Sequence, residues 1–263
     1  MKKILLLSCI MVVLNLAVVC LTNAVEIRYS DSTIVDDATT LSKGGCKLGL
    51  RVIQTADPGL YTNSAWLRFW YGLTDQFEVS IASEVSDSIY GSDRTNKHDY
   101  SDITLQGKYQ FLNNDNLSLA AKINVKIAPN NSAYAKGLST GEEDYKFELA
   151  GTKFFGRAKV NANLGYNFIG DPPGTDYADE LSYSLAVMYP VKKVILAVDL
   201  VGKTDKTKGG GGITFNQNIL DLWGGVRWKF SLDPDIRVKL GIGTRLSEAA
   251  PDYLGTLAIA YYF

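Results

Sequence analysis

The stretch Ile103-Thr-Leu-Gln-Gly-Lys-Tyr-Gln-Phe111 alternates large apolar residues with polar ones. In an extended chain, successive side chains point to opposite sides. One face would therefore carry the isoleucine, leucine, tyrosine and phenylalanine, and the other the threonine, glutamines and lysine. This period of two predicts a β-strand with one apolar and one polar face.

The same alternation returns along the rest of the chain, and no helical period persists after residue 45. The next strand, 117–128, places leucine, isoleucine and valine on one face and serine, lysine and asparagine on the other. Counting such runs predicts about twelve strands. They are 46–55, 63–72, 76–85, 100–111, 117–128, 144–155, 157–168, 179–189, 193–202, 217–230, 236–246 and 253–263.

The connections between these strands alternate in length. Short, turn-like ones lie around 73–76, 113–116, 156, 190–193 and 232–235. Long polar ones lie at 86–99, 129–143, 169–178, 203–216 and 247–252, and 56–62 is of middling length. Outer-membrane barrels show this asymmetry, with short periplasmic turns and long external loops, and their even strand number brings both termini to the short-turn side.

We therefore expect an all-β fold, an antiparallel up-and-down transmembrane β-barrel of about twelve strands. Strands of ~11 residues tilted by ~40° stand about 27 Å tall, close to the ~25 Å apolar band of such barrels. A soluble β-sandwich or lipocalin-like barrel is the alternative, since it would also have many strands. It would have to bury the apolar face instead of turning it to lipid.

Residues 1–24 are typical of a signal peptide, with two lysines, an apolar run and a small-residue site ending at Ala24. A membrane anchor, or a lipoprotein modified at Cys20, is the alternative. We expect residues 25–45 to form an N-terminal periplasmic extension and 46–263 the barrel domain. Cleavage would leave Cys46 as the single thiol, so no intrachain disulfide is possible.

Composition alone resembles that of a soluble protein, with 21% charged residues and a mean hydropathy of −0.02. These values exclude a bundle of transmembrane helices. In a barrel they are an average over an apolar outer face and a polar inner one. The net charge of −1 gives no basic surface for nucleic acid.

The last strand, Leu257-Ala-Ile-Ala-Tyr-Tyr-Phe263, places large apolar residues at every second position and ends on phenylalanine. It resembles the C-terminal signature of bacterial outer-membrane proteins, which the barrel-assembly machinery reads. We also expect an interfacial aromatic girdle at the short-turn side. Its members would be Tyr71, Phe111, Phe154, Phe155, Phe168, Tyr189, Trp228 and Phe230.

Three segments resemble the outer-membrane barrels of the phenol-degradation meta-pathway family. They are Phe69-Trp-Tyr-Gly-Leu-Thr-Asp-Gln-Phe-Glu-Val-Ser-Ile81, Lys108-Tyr-Gln-Phe-Leu-Asn113 and Asn161-Ala-Asn-Leu-Gly-Tyr-Asn167. The resemblance implies an outer-membrane channel or transporter for small organic solutes, including aromatic ones. No catalytic or binding residues are established for the family, so none are carried over.

The polar face of each strand should line the lumen, where the function of a barrel channel resides. Basic positions on this face outnumber acidic ones, which favours a lumen for anionic or otherwise polar solutes. The alternative is that the charges pair into ladders that plug a narrow barrel. The candidate pore-lining residues are Arg68, Lys108, Lys122, Asn124, Lys126, Arg157, Lys159, Asn161, Asn163, Asp199, Arg227, Arg237, Lys239 and Arg245.

Strand parity also places Trp66, Trp70 and Trp223 inward, where indole rings could stack on aromatic solutes. Residues 65–71 are apolar on both faces, however, so the parity there is ambiguous. A position in the barrel wall or the girdle is the interpretation we favour for these tryptophans.

Nothing in the sequence predicts an enzyme. The single histidine, His98, falls in the predicted loop 86–99 beside Asp99, and adjacent side chains diverge too far to form a triad. One histidine and one remaining cysteine give no metal-ligand spacing, and we expect no cofactor. The expected partners are outer-membrane lipid, lipopolysaccharide, small solutes and, through Phe263, the barrel-assembly machinery.

We therefore expect a monomeric channel or transporter in the outer membrane of a Gram-negative bacterium. A non-enzymatic structural or adhesive barrel is the alternative. An outer-membrane lipase-like hydrolase that depends on His98 is a third.

Overall fold

The computed structural model describes residues 32, 34–57, 60–90, 95–128, 139, 141–172, 174, 177–192, 194–205, 217–232, 235–247 and 251–263. Twelve strands account for most of them. They are β1 (Cys46–Asp57), β2 (Leu60–Gly72), β3 (Phe77–Tyr90), β4 (Thr95–Asn113), β5 (Leu117–Ile127), β6 (Asp144–Phe155), β7 (Ala158–Phe168), β8 (Glu180–Val191), β9 (Val194–Asp205), β10 (Gln217–Leu232), β11 (Asp235–Arg245) and β12 (Tyr253–Tyr262).

These strands form one closed antiparallel barrel in which each strand pairs with its neighbours in sequence. The barrel closes where β1 pairs with β12, with Lys47 opposite Tyr262 and Ala56 opposite Tyr253. The predicted up-and-down barrel of about twelve strands is confirmed. No helix among the described residues is long and apolar enough to cross a membrane.

Several strands are longer than the sequence predicts. β3 reaches Tyr90 and β4 begins at Thr95, so most of the predicted loop 86–99 pairs as strand, with Asp87 opposite His98. The prediction was wrong here because it followed apolar alternation. A backbone ladder needs no apolar side chains beyond the lipid-facing band, where water can solvate both faces.

The turns between β2 and β3, β4 and β5, β6 and β7, and β8 and β9 lie at one end of the barrel, which we call the short-turn end. Two connections at the opposite end are also short, because β2 begins three residues after β1 ends and β4 begins five residues after β3 ends, so the predicted alternation of lengths does not hold there. Both ends of the barrel domain also meet there, since Cys46 and Phe263 exchange two backbone hydrogen bonds of 2.9 and 3.0 Å. The opposite end is the long-loop end. Phe168 lies at that end, packed edge-on against Phe147 and Tyr166, and not in the girdle predicted at the short-turn end.

The polarity of a soluble protein is inverted in this barrel. Outward side chains at mid-height are apolar and exposed, as Leu149 (59%) and Leu164 (54%) show. Inward side chains are polar and buried, and Lys159 and Asn161 are both 0% exposed. The soluble alternative would require the reverse arrangement, so this is the fold of a membrane-spanning barrel.

Chain preceding β1 does not extend away from the barrel, as the sequence analysis expects for 25–45, but enters it. Residue 32 and residues 34–45 are called here the inner segment. Residues 34–38 are bound by inward side chains of the wall, and residues 40–43 cross the barrel mouth. Entry depends on Gly72, where a Cβ atom would lie 2.1 Å from the backbone oxygen of Ser42. The predicted signal peptide, 1–24, and residues 25–31 lie outside the described residues. The first strand, β1, begins at Cys46.

Candidate functional site

The inner segment is fixed first at the short-turn end of the barrel. The backbone N–H of Leu41 donates to Glu78 Oε2 on β3 at 2.9 Å, and Thr40 Oγ1 donates to the backbone oxygen of Asp75 at 2.7 Å. The N–H of Lys43 donates to the Asp75 carboxylate at 2.9 Å. These contacts satisfy the polar backbone of a chain that crosses the barrel mouth.

Further inside, the segment is held by a buried ion pair. Lys159 Nζ lies 2.7 Å from Asp37 Oδ2, and the two side chains are 0% and 3% exposed. The N–H of Ala38 donates to Thr152 Oγ1 at 2.9 Å, and this hydroxyl donates to Asn161 Oδ1 at 3.0 Å. Two predicted pore-lining residues, Lys159 and Asn161, therefore face the inner segment.

Asp36 joins the inner segment to two more predicted residues. Its Oδ2 atom lies 3.1 Å from Lys122 Nζ and 3.9 Å from Lys108 Nζ. Lys108 also pairs with Glu78 at 3.3 Å, and Lys122 pairs with Glu148. The backbone oxygen of Asp36 accepts from Asn163 Nδ2 at 3.2 Å. Such a network exposes few of its charges to the lumen.

The uppermost described part of the segment wraps around Asp199. One carboxylate oxygen, Oδ2, accepts from Ile34 N at 2.6 Å, Ser32 Oγ at 2.8 Å and Val35 N at 3.4 Å. Lys239 Nζ donates to the backbone oxygen of Ser32 at 2.9 Å. Residues of β9 and β11 in the barrel wall thus hold the inner segment mainly through its backbone.

Two cavities lie on either side of this segment. The larger, about 540 Å³, is bordered by Ile34, Val35 and Asp36 and by lumen residues of the surrounding strands. The smaller, about 220 Å³, lies at the short-turn end and is bordered by Thr39, Thr40 and Ser42. Residues 36–38 join the part of the segment that borders the larger cavity to the part that borders the smaller one, and with their ion pairs they are called here the constriction.

Charge around the larger cavity is unbalanced. Seven basic residues line it, against three acidic ones, Asp36, Asp144 and Glu148. The seven are Lys47, Arg51, Arg68, Lys122, Lys126, Lys146 and Lys239. The excess makes the cavity attractive to anions. Predicted residues Arg68, Lys122, Asn124, Lys126, Asn163 and Lys239 all border it.

Within the larger cavity, local pairs reduce that charge on one side. Lys126 lies 2.6 Å from Asp144 and 3.4 Å from Asp102, and Lys146 lies 2.6 Å from Glu148. These pairs belong to β4, β5 and β6. The geometry therefore supports both interpretations of the lumen charges. Some charges form ladders of ion pairs, and the cavity still has more basic than acidic residues.

The remaining predicted residues lie away from the constriction. Arg227 donates to Tyr262 Oη at 3.4 Å, and the Arg237 guanidinium pairs with Asp235 and lies 4.1 Å from the Tyr262 ring centre. Arg245 pairs with Asp252 at 2.9 Å and is about half exposed, at the long-loop end. Arg157 lies in the turn between β6 and β7, where it donates to the backbone oxygen of Pro190. The alternation of a strand does not continue through a turn, so it could not predict the direction of this side chain.

The positions of the tryptophans contradict the interpretation that the sequence favours, which placed them in the barrel wall or the girdle. Trp66 and Trp70 line the larger cavity, so they belong to the lumen and not to the wall or girdle. Trp223 is buried, with 3% of its surface exposed. The neighbouring positions of β2 that face outward, Leu67 and Phe69, are exposed. The pleat of β2 thus settles a parity that apolar residues on both faces leave ambiguous.

The sequence analysis did not identify the inner segment as part of the site. One signal was available: the predicted lumen carried surplus positive charge, and Asp36-Asp37 stands just before the barrel. Among the described residues, no group of three or more histidine, cysteine or acidic side chains is placed to hold a metal ion. His98 lies in β4, and its side chain is outside the described residues.

A family model described as "Putative MetA-pathway of phenol degradation" matches residues 51–263. No curated protein sequence matches the chain. Among solved structures, a COG4313 outer membrane channel from Pseudomonas putida F1 has a TM-score of 0.72 at 16% identity, covering 87% of this chain and 100% of that one.

Two porins are also similar in fold. The NanC porin has a TM-score of 0.54 at 9% identity, covering 82% of this chain and 98% of its own. The KdgM porin, solved in complex with disordered oligogalacturonate, has a TM-score of 0.53 at 9% identity, covering 82% and 99%. All three share the barrel fold with this chain.

Proposed function

We propose that this chain, which belongs to the family described as "Putative MetA-pathway of phenol degradation", is an outer-membrane channel for small anionic or aromatic solutes. The observation that carries the proposal is the cavity of about 540 Å³ within the barrel, lined by seven basic and three acidic residues. A barrel with a purely structural role would have no need of such a polar, positively charged interior.

The inner segment makes this a narrowed channel. Its contacts with the wall are hydrogen bonds and ion pairs, such as Lys159–Asp37 and Lys122–Asp36. When the segment moves, water and ions can replace polar contacts of this kind, whereas they could not replace the contacts of an apolar core. A modest displacement of residues 36–38 would join the two cavities into one path.

The relatives in fold support this function. The solved structures with similar barrels are named as an outer membrane channel and as porins, and one porin was solved with an oligogalacturonate, which is a polyanion. The family description places its members with the degradation of phenol. For this chain, the basic cavity and its two indole rings are the features that fit anionic and aromatic solutes.

Liposome swelling tests the proposal directly. The chain from residue 25, refolded in detergent and checked by heat-modifiable mobility on a gel, would be reconstituted and challenged with arabinose, acetate and benzoate. We expect uptake of the anions to exceed that of arabinose. Planar-bilayer recording in a KCl gradient should show a reversal potential that favours chloride.

Cation preference would overturn the anionic part of the proposal. Absence of any conductance, together with binding of the barrel to cell surfaces, would favour the adhesive alternative instead. A hydrolytic activity lost in His98→Ala would favour the lipase-like alternative.

A further inference from the structure

One wall of the larger cavity combines aromatic rings with cations in a regular ladder. On β2, the lumen positions are Trp66, Arg68 and Trp70, and on β1 they are Lys47, Gly49 and Arg51. The register places Lys47 opposite Trp70 and Arg51 opposite Trp66. We call the five side chains Lys47, Arg51, Trp66, Arg68 and Trp70 the indole–cation face.

Trp70 is held in place by this arrangement. Lys47 Nζ lies 4.1 Å from the centre of its ring, and Arg68 Cζ lies 5.5 Å from it. Gly49 provides the room, because a Cβ atom there would lie 2.9 Å from the Trp70 ring. Stacking on the indole therefore orders both cations at the edge of the cavity.

The indole N–H of Trp66 has no hydrogen-bond acceptor among the described residues. Its indole Nε1 is fully buried and makes no hydrogen bond to the described residues. A buried N–H without an acceptor costs free energy, which a bound acceptor oxygen would recover. Trp66 borders the cavity, so a rotation of its ring would bring this N–H to an acceptor oxygen of a ligand there.

Beside these side chains, the cavity wall is smooth and apolar. Ala258 and Ala260 of β12 line it next to β1, opposite Arg51 and Gly49 in the register. Small side chains here leave space for a flat ring against the wall. An aromatic ring would contact alanine and indole, while its charged substituent would meet Arg68, Arg51 or Lys47.

We propose that the indole–cation face binds a monocyclic aromatic carboxylate. The inference rests on the proposed channel function and names the solute class and the lumen site at which it is selected. Aromatic ring and negative charge are both required, because the face offers indole surface and an N–H donor together with three cations. Neutral aromatics and aliphatic acids would each satisfy only half of the site.

The test is equilibrium binding by calorimetry, with the chain from residue 25 in detergent and benzoate as the probe. Cyclohexanecarboxylate retains the charge without the ring, and benzyl alcohol retains the ring without the charge. We expect benzoate to bind about tenfold more tightly than either, because it meets both the indole surface and the cations. Equal binding of benzoate and cyclohexanecarboxylate, or no binding of benzoate, would overturn the inference.

Variants locate the site. Trp66→Leu should weaken benzoate binding about fivefold and change cyclohexanecarboxylate binding less than twofold, because only the indole contacts are lost. Arg68→Gln should weaken both carboxylates. Leu67→Ala, which changes the outward residue between them, is the matched control and should leave both affinities unchanged. Benzoate binding that is equal in Trp66→Leu and Leu67→Ala would place the site elsewhere.

Folding of each variant is checked by heat-modifiable mobility. Trp66→Phe, which keeps a ring but loses the N–H, serves if the leucine variant does not fold, and an unaltered benzoate affinity in it would remove Trp66 Nε1 from the site. The two proposals fail separately. Acetate permeation without benzoate binding rejects only this site, and benzoate binding without permeation of any solute rejects the channel.

Discussion

Lys159 of β7 and Asp37 of the inner segment form an ion pair of 2.7 Å in which neither side chain is more than 3% exposed. The two residues are 122 positions apart in sequence. The pair lies in the constriction between the two cavities, where it anchors the inner segment to the wall.

Removal of the charge at Asp37 should release the constriction. Asp37→Asn removes the carboxylate that pairs with Lys159, and removing one partner of a buried ion pair costs up to about 3–5 kcal/mol unless water reaches the remaining charge. In this variant the state of lowest free energy should have the inner segment displaced and more water in the lumen. We expect higher single-channel conductance than in the unaltered protein, measured in planar bilayers. Asp171→Asn, at an exposed position that borders neither cavity, is the control and should conduct as the unaltered protein does.

Asp36 should determine selectivity more than width. Its carboxylate lies 3.1 Å from Lys122 and 3.9 Å from Lys108, and its loss adds one positive charge to the cavity lining. Asp36→Asn should therefore raise the permeability of chloride relative to potassium, measured from reversal potentials at two salt concentrations. The difference should shrink in high salt, because the Debye length falls from ~10 Å at 0.1 M to ~3 Å at 1 M. An unchanged ratio at low salt would mean that ions do not pass near Asp36.

Gly72 should be needed for entry of the segment into the barrel. A methyl group there would meet the Ser42 oxygen at 2.1 Å, and backbone at that distance must move. Gly72→Ala should leave the barrel folded but speed amide hydrogen exchange across residues 34–45. Gly255→Ala is the matched control, because a Cβ at Gly255 has no neighbour within 4 Å. Equal exchange in both variants would contradict the close approach.

A reversible tether tests whether the segment moves during conduction. Ala38 of the segment forms a buried cluster with Ala120 of β5 and Ala150 of β6. The pair Ala38→Cys and Ala150→Cys, made with Cys46→Ser to remove the natural thiol, should form a disulfide under oxidation. We expect oxidation to lower conductance and reduction to restore it. Conductance that is independent of the redox state would show that solutes pass a stationary segment.

Outward and inward faces should respond oppositely to charge. Leu149→Lys places an ammonium group on the lipid-facing surface at mid-strand, where lysine costs about 2–4 kcal/mol near the bilayer midplane. Asn163→Lys, on the lumen face of the adjacent strand, should cost much less. Urea titration of folding into lipid vesicles gives both free energies of unfolding. Similar losses for the two variants would argue against a lipid-facing outer surface.

Much of the barrel could be predicted because its determinants are local. Each strand shows its two faces within ten residues, as 103–111 does, and each short turn follows directly. The predictions were wrong at positions where the alternation of apolar and polar residues is absent or ambiguous. Polar residues around Asp87 and His98 continue the strands without apolar alternation. The parity of Trp66 and Trp70 is hidden by apolar residues on both faces of β2, and Arg157 lies beyond the end of a strand.

The site could be predicted only in part, for a related reason. Inward residues such as Lys122, Lys159 and Asp199 follow from parity, since alternation fixes which side of the sheet a side chain occupies. Their partners do not follow. Asp199 accepts a hydrogen bond from Ser32, which lies 167 positions away in sequence, and Lys239 donates one to Ser32 from 207 positions away. No spacing in the sequence marks such contacts.

The sequence by itself determined a closed β-meander with an apolar exterior and a basic interior, because alternation along a strand is a local property. Only the tertiary structure decided what fills that interior. Closing the barrel concentrates the wall's positive charges in one small volume, and the acidic chain before β1 lies near enough to enter it. Whether the lumen is open or narrowed therefore depends on contacts that exist only once the barrel is closed.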